Sequence, residues 1–284
     1  MSDEPSSLAL RSRSGLEVEV RPEQGLDLGS ARFRGSELAW FAPAEWKAAD
    51  PWLAAFSGGL LATCGLHNVG RPSDGHGLHG RFALLPAEDV RVLDDEDGGV
   101  RVTGTVTDAG LVCRRTVTLC ADRPVVSVTD TVSNTGATAV QAPLLYHVNV
   151  GGALGVDSVQ VDGPVQESAQ REPGPGWPDW RRPGDAPAND ASGAPVEFVW
   201  EHTTTEPWLR VRDPHARLGL RIGWSGLDRV HQWVDRSGGK DALALEPANC
   251  SVLGRAHDRR EGRAPMLAAG AERVTGMSVE VLEW

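Results

Sequence analysis

The chain has 284 residues, 40% hydrophobic and 24% charged, a globular balance that excludes global disorder and leaves enough length for a substantial core. Its formal net charge of −11, with no clustered basic stripe, excludes a nucleic-acid partner, since that affinity depends on neutralising phosphates with Lys and Arg. No apolar run approaches the roughly 20 residues of a bilayer span, so no membrane association is expected.

The first residues, Met1-Ser2-Asp3-Glu4-Pro5-Ser6-Ser7, lack the basic n-region of a secretory signal, and a cytoplasmic protein is expected. Residues 1–12 read as a flexible start and 13–284 as one domain. Period-two alternation begins at 16–20. Helix signals are few. Ser36 is placed to cap a short turn through Trp40, and 44–48 or 52–56 can hold another, although Pro43 and Pro51 interrupt both.

A glycine-dense stretch follows, from Gly58-Gly59-Leu60 through Leu66-His67-Asn68 to Leu78-His79-Gly80-Arg81. Glycines at this density imply positive φ and close backbone approach, which lets loops crowd around a ligand. His79 and Arg81 can hydrogen-bond a substrate, the guanidinium offering a planar fork of donors. His67, His76 and His79 could instead hold a metal, or all of these groups could be structural; spacing alone leaves the three readings open.

Strand periodicity resumes at 100–106, 111–119 and 125–132, with an Asn134-Thr135-Gly136 turn, and again at 195–200, 208–212, 218–224, 243–245 and 274–282. Even spacing, 33 glycines and 19 prolines predict an all-β, large antiparallel sandwich with few short helices. Residues 162–194, rich in Pro, Gly, Asp and Gln, read as a long loop, either a lid or rim carrying Trp177 and Trp180 or an ordinary surface excursion. Cys64, Cys113, Cys120 and Cys250 show no CxxC or metal spacing and are expected as free thiols. Lys47 and Lys240, the only lysines, lie in polar contexts that do not favour Schiff-base chemistry.

Two titratable residues follow apolar runs, His147 in Leu144-Leu145-Tyr146-His147-Val148-Asn149 and Glu246 in Ala244-Leu245-Glu246-Pro247-Ala248-Asn249-Cys250. An imidazole and a carboxyl desolvated at a strand end are the groups that acid–base chemistry near neutral pH requires. The competing readings are a satisfied core histidine and a structural salt bridge from Glu246 to Arg255. Asn149 and Asn249 either orient this pair or cap turns, and Gln232-Trp233 suits a sugar platform, an aromatic face beside an amide, unless Trp233 is core.

Taken in order, Gly58-Gly59-Leu60 with Thr63-Cys64-Gly65-Leu66, Leu78-His79-Gly80-Arg81, Tyr146-His147-Val148-Asn149-Val150-Gly151, Gln232-Trp233, and Leu245-Glu246-Pro247-Ala248-Asn249-Cys250 with Gly254-Arg255 resemble the uncharacterised aldose 1-epimerase-like family of the galactose mutarotase superfamily over nearly the whole chain. The resemblance implies a β-supersandwich of the galactose mutarotase type with a groove on one face. It further implies interconversion of α and β anomers of a free sugar by ring opening, with His147 as general acid and Glu246 as general base. His79 and Arg81 match its sugar-binding positions; Asn149, Gln232, Trp233 and Asn249 complete the expected substrate set, with no metal or cofactor. Departures are Tyr146-His147-Val148-Asn149 where mutarotases carry Asn-His-Ser/Thr-Tyr-Phe-Asn-Leu, and Val234 where the family often has Lys. The expected partner is a small-molecule carbohydrate. A metal-assisted sugar isomerase or lyase using His67, His76 or His79, and a non-catalytic carbohydrate-binding protein, are the alternatives on this scaffold.

Overall fold

The computed structural model describes residues 7–44, 50–172 and 177–284. In chain order the strands are β1 (Leu8–Arg11), β2 (Leu16–Arg21), β3 (Asp27–Phe33), β4 (Ser36–Glu37), β5 (Leu61–Gly65), β6 (Glu88–Asp94), β7 (Val100–Asp108), β8 (Leu111–Leu119), β9 (Val125–Asn134) and β10 (Val140–Gln141). They continue as β11 (Leu144–Val150), β12 (Gln160–Asp162), β13 (Val165–Gln170), β14 (Glu197–Thr204), β15 (Trp208–Asp213), β16 (Leu218–Ser225), β17 (Arg229–Asp235), β18 (Ala242–Ala248), β19 (Met266–Leu267) and β20 (Glu272–Glu283). The two α-helices of the described residues are short, α1 (Pro51–Ala55) and α2 (Arg255–Arg260). None is long and apolar enough to cross a membrane.

One sheet runs β1-β2-β3-β5-β11-β18-β17-β14-β13, with β4 beside β3, and the other β12-β15-β16-β20-β9-β8-β7-β6. Strand alternation decides which face each side chain occupies. Leu144, Tyr146, Val148, Val150, Val230, Val234, Leu243 and Leu245 join the main core, whereas Leu145, Val199, Ala242 and Ala248 join a second cluster on the outer face of the first sheet. That outer face carries the groove described below.

Between the sheets lies a buried ion network. Arg115 of β8 reaches Asp130 and Asp27, each at 2.7 Å, and donates to the Thr63 hydroxyl at 2.9 Å; the Tyr146 hydroxyl donates to Asp130 at 2.8 Å. The guanidinium also sits 4.4 Å from the Phe82 ring centroid. A desolvated Arg is tolerable here because two carboxylates and a hydroxyl take its donors. Thr63 and Tyr146 belong to β5 and β11, so the network stands directly behind the groove strands.

Several local expectations are corrected. Leu8–Arg11, read as part of a flexible start, pairs with β2, because Leu10 reaches the core; residues 1–6 lie outside the described residues. Ser36 opens no helical turn and instead forms β4 against Arg32 and Phe33. Pro51 does not interrupt a helix but begins one, with the Asp50 carboxylate accepting from the N–H groups of Trp52 and Leu53; the 44–48 expectation falls largely outside the described residues. The 162–194 stretch opens with β13, an edge strand on β14. Trp180 is buried and Trp177 packs edge-on to Phe198 and Trp200. All four cysteines are free thiols.

Glu246 is likewise not at a strand end, since β18 continues through Pro247 to Ala248. Between β11 and β18, Leu145 stands opposite Ala248 and Val148 opposite Leu245. Pro247 has no N–H to donate there. In that register His147 stands opposite Glu246.

Candidate active site

His147 and Glu246 project from neighbouring strands onto the groove face, and His147 Nε2 lies 3.1 Å from Glu246 Oε1, with side chains only 6% and 3% exposed. The amide nitrogen of Asn149 donates to the carbonyl oxygens of Gly59 (2.8 Å) and His147 (3.2 Å). Its Oδ1 is thereby turned to His147 Nδ1, at 2.7 Å, and must accept from it. This pattern assigns the proton of the neutral ring to Nδ1 and leaves the Nε2 lone pair facing Glu246.

Burial then decides where the shared proton rests. Desolvation pulls His147 down to about 4, partly opposed by the Asn149 hydrogen bond. It pushes Glu246 up to about 7, partly offset by the neighbouring His231. Below neutrality the carboxyl therefore holds the proton and donates it to Nε2. The expectation of a protonated His147 at the start is corrected: the low-dielectric site disfavours an isolated imidazolium.

The groove encloses about 340 Å³, within the range of small-molecule sites. Trp52 of α1 and Phe56 just after it form one wall, with the Phe56 ring 5.2 Å from His147 and edge-on to it. Trp233 approaches His147 from the other side at 5.5 Å. His79, held in the left-handed region at φ 55°, lines the same space and lies 4.4 Å from the Trp52 ring. Its Nδ1 accepts from the Gly70 N–H at 3.3 Å, so the neutral ring offers Nε2–H, and burial lowers its pKa to about 3. Gly70 permits this packing, because a Cβ there would strike the Val252 carbonyl.

The charged residues of the rim are paired. Arg171 meets Glu197 at 2.7 Å, Lys240 meets Asp235 at 2.6 Å, and Arg71 meets Glu172. Glu197 also accepts from the Trp233 indole at 2.9 Å, which fixes the angle of that ring.

Of the expected site residues, His147, Glu246, His79 and Trp233 line the groove and Asn149 supports His147. Three do not belong to it. Gln232, one residue from Trp233 on a strand, must face the other way; it is fully buried and donates to the Trp180 carbonyl at 2.8 Å. The Arg81 side chain is 63% exposed and turns to Asp108 at 3.4 Å. Asn249 accepts from the Leu144 N–H at 2.8 Å and donates to the Ala142 carbonyl, tying down the start of β11. Arg255 does not pair with Glu246. It donates to the His67 carbonyl at 2.8 Å and to His76 Nε2 at 3.0 Å. His67 and His76 stack on each other and are taken up by that clamp, and among the described residues no group of three His, Cys, Asp or Glu side chains is assembled for a metal ion. Sequence reasoning missed Trp52, Phe56, Arg171, Glu197, Asp235 and Lys240. The alternation of Glu197 and Val199 on β14 was a usable signal for one of them; Arg171 lay hidden in a stretch read as loop.

This two-sheet sandwich, with its groove on an outer sheet face, is the galactose mutarotase type of fold. A Klebsiella pneumoniae protein provisionally described as an aldose 1-epimerase superposes with a TM-score of 0.80 at 19% identity, covering 98% of this chain and 79% of its own. A Synechocystis protein superposes at 0.72 and 15% identity, covering 99% and 97%. A galactose mutarotase-like protein of Clostridium acetobutylicum superposes at 0.67 and 13% identity, covering 98% and 95%. No curated protein matches in sequence. The chain belongs to the family described as "Domain of unknown function (DUF4432)", whose model matches residues 5–281.

Proposed function

We propose that the protein is an aldose 1-epimerase-like isomerase that interconverts the α and β anomers of a free sugar. The observation that carries this reading is the buried His147–Glu246 pair holding one proton at the floor of a sugar-sized groove. Ring opening of a cyclic hemiacetal needs the anomeric hydroxyl proton removed while the ring oxygen gains one. His147 Nε2 takes the first proton as Glu246 gives its own to the ring oxygen; the C1–O bond to the ring breaks and the exocyclic C–O becomes a carbonyl. The pair is left as imidazolium and carboxylate, whose opposite charges attract each other across the bound sugar. After rotation about the C1–C2 bond, His147 returns its proton to the carbonyl oxygen and Glu246 recovers one from the ring-forming hydroxyl as the ring closes on the other face.

The residue pair is the one anticipated from sequence, with the starting proton on the carboxyl rather than on the imidazole. Trp233 and Trp52 offer apolar faces to the sugar, and His79 an N–H donor. Polarimetry or NMR exchange of separated anomers tests the reading. Folded Glu246→Gln and His147→Asn variants should lose about 10²-fold or more in rate. Wild-type rates in both would sink it.

A further inference from the structure

The groove has a neighbour that the proposed reaction does not use. Beyond Glu246, across the Val199–Val252 sill, a second cavity of about 210 Å³ lies over β17, β14 and β13 and shares Arg171 with the groove as a common wall. Its volume is roughly seven times the ~30 Å³ share of a water molecule.

The sheet register explains its position. Glu246 pairs with His231, His231 with Glu201, and Glu201 with Ala169, so one row of groove-face side chains crosses four strands from the proton pair into this cavity. His231 is 1% exposed, and its Nε2–H donates to the Cys250 carbonyl at 2.9 Å. That leaves its Nδ1 an acceptor, and among the described residues it has no partner. The Arg171 Nε, a buried donor, has none either. Ser251 adds a hydroxyl whose oxygen already accepts from the Leu253 N–H, so its proton is the free valence. Glu201 is held by Arg229 at 3.4 Å and Arg263 at 2.8 Å, and Arg171 by Glu197, so the charges at the cavity are compensated.

An orphan acceptor beside orphan donors, without uncompensated charge, matches neither an anion nor an apolar group. It matches hydroxyls, each of which donates once and accepts. Water can pair these groups, and a sugar that displaces it must reproduce those hydrogen bonds with its own hydroxyls.

We propose that this cavity is a second sugar subsite. It takes an uncharged glycosyl unit attached to the end of the ring remote from the anomeric carbon, while the reducing unit lies on His147 and Glu246. The inference rests on the anomer-exchange reading for the placement of the reducing unit.

Ala169, exposed at the cavity mouth and engaged in no side-chain hydrogen bond, gives the test. Anomer exchange is followed by NMR for reducing monosaccharides and for reducing disaccharides built from them, in wild type and Ala169→Trp. The bulky ring should raise KM for the disaccharides about tenfold or more with kcat little changed, and leave monosaccharide KM within about twofold. An equal effect on both, or none on the disaccharides, overturns the subsite. Ring-resolved saturation transfer reads binding without turnover. Protons of both rings should receive saturation in wild type, and only those of the reducing ring in Ala169→Trp. Saturation confined to one ring in wild type, or absent, removes the subsite while monosaccharide exchange can still stand. Saturation of both rings without anomer exchange removes the reaction and retains the subsite.

Discussion

Asn149 lies two residues from His147 on β11, and its Oδ1 rests 2.7 Å from the imidazole Nδ1. Because the amide nitrogen is committed to the Gly59 carbonyl, the ring cannot reverse its tautomer without losing a hydrogen bond. Asn149→Ala should therefore lower kcat by about 10²-fold with little change in sugar binding, as expected when a base is left in the wrong tautomer. Asn149→Asp keeps the acceptor and should restore much of the rate. Its added negative charge favours the imidazolium, so the acid limb of the pH profile should move above the wild-type position. A purely structural role for Asn149 would leave that limb where it was.

The pH profile of kcat/KM should be a bell. Below about 4 the Nε2 of His147 is protonated and no longer a base; above about 7 Glu246 has lost the proton it must give. A profile flat from pH 4 to 9 would contradict the one-proton pair.

Stability should register the same two groups with opposite signs. His147 is depressed from 6.5 to about 4, so folding binds fewer protons there and its contribution rises with pH across that interval. Glu246 is raised from 4.5 to about 7, so its contribution is full below 4.5 and falls as pH rises toward 7. The two largely cancel between 4.5 and 6.5. In Glu246→Gln only the histidine slope remains, and urea denaturation should show stability rising over that interval relative to wild type.

Adjacent residues on β17 should separate by function. Trp233→Ala removes a groove wall and should raise KM several-fold to about tenfold. Gln232→Leu leaves the Trp180 carbonyl without its donor and should cost about 1–3 kcal/mol in chemical denaturation while KM stays unchanged.

Arg115→Met should be severe, because Asp27 and Asp130 would remain buried without their cation. A loss of about 3–5 kcal/mol is expected in urea titration. Replacing Asp27 and Asp130 by Asn in the same chain should recover part of it.

The sandwich was legible because half-buried strands write their burial into every second residue, as in 111–119, and no long-range information is needed to read that. The two residues that meet in the groove were legible for a related reason: His147 and Glu246 each interrupt an apolar strand. Arg81 and Gln232 misled because a motif names neighbours in sequence, whereas on a strand consecutive side chains leave by opposite faces. Arg171, Glu197, Asp235 and Lys240 were illegible individually, since each acquires its meaning from an ion partner or a wall that only folding supplies. The location of the shared proton was beyond reach for the same reason. It depends on how far two groups are removed from water, which no local pattern records.

The N–H that Pro247 lacks has a mechanical meaning. His147 and Glu246 touch each other, and on the proposed reaction a sugar whose reacting oxygens meet both comes between them. Elsewhere along a central strand, prising two neighbours apart would tear backbone hydrogen bonds. Here Pro247 leaves the seam between β11 and β18 one donor short, so fewer backbone hydrogen bonds resist where, on the proposed reaction, a sugar would be admitted, and the sheet around it can stay intact.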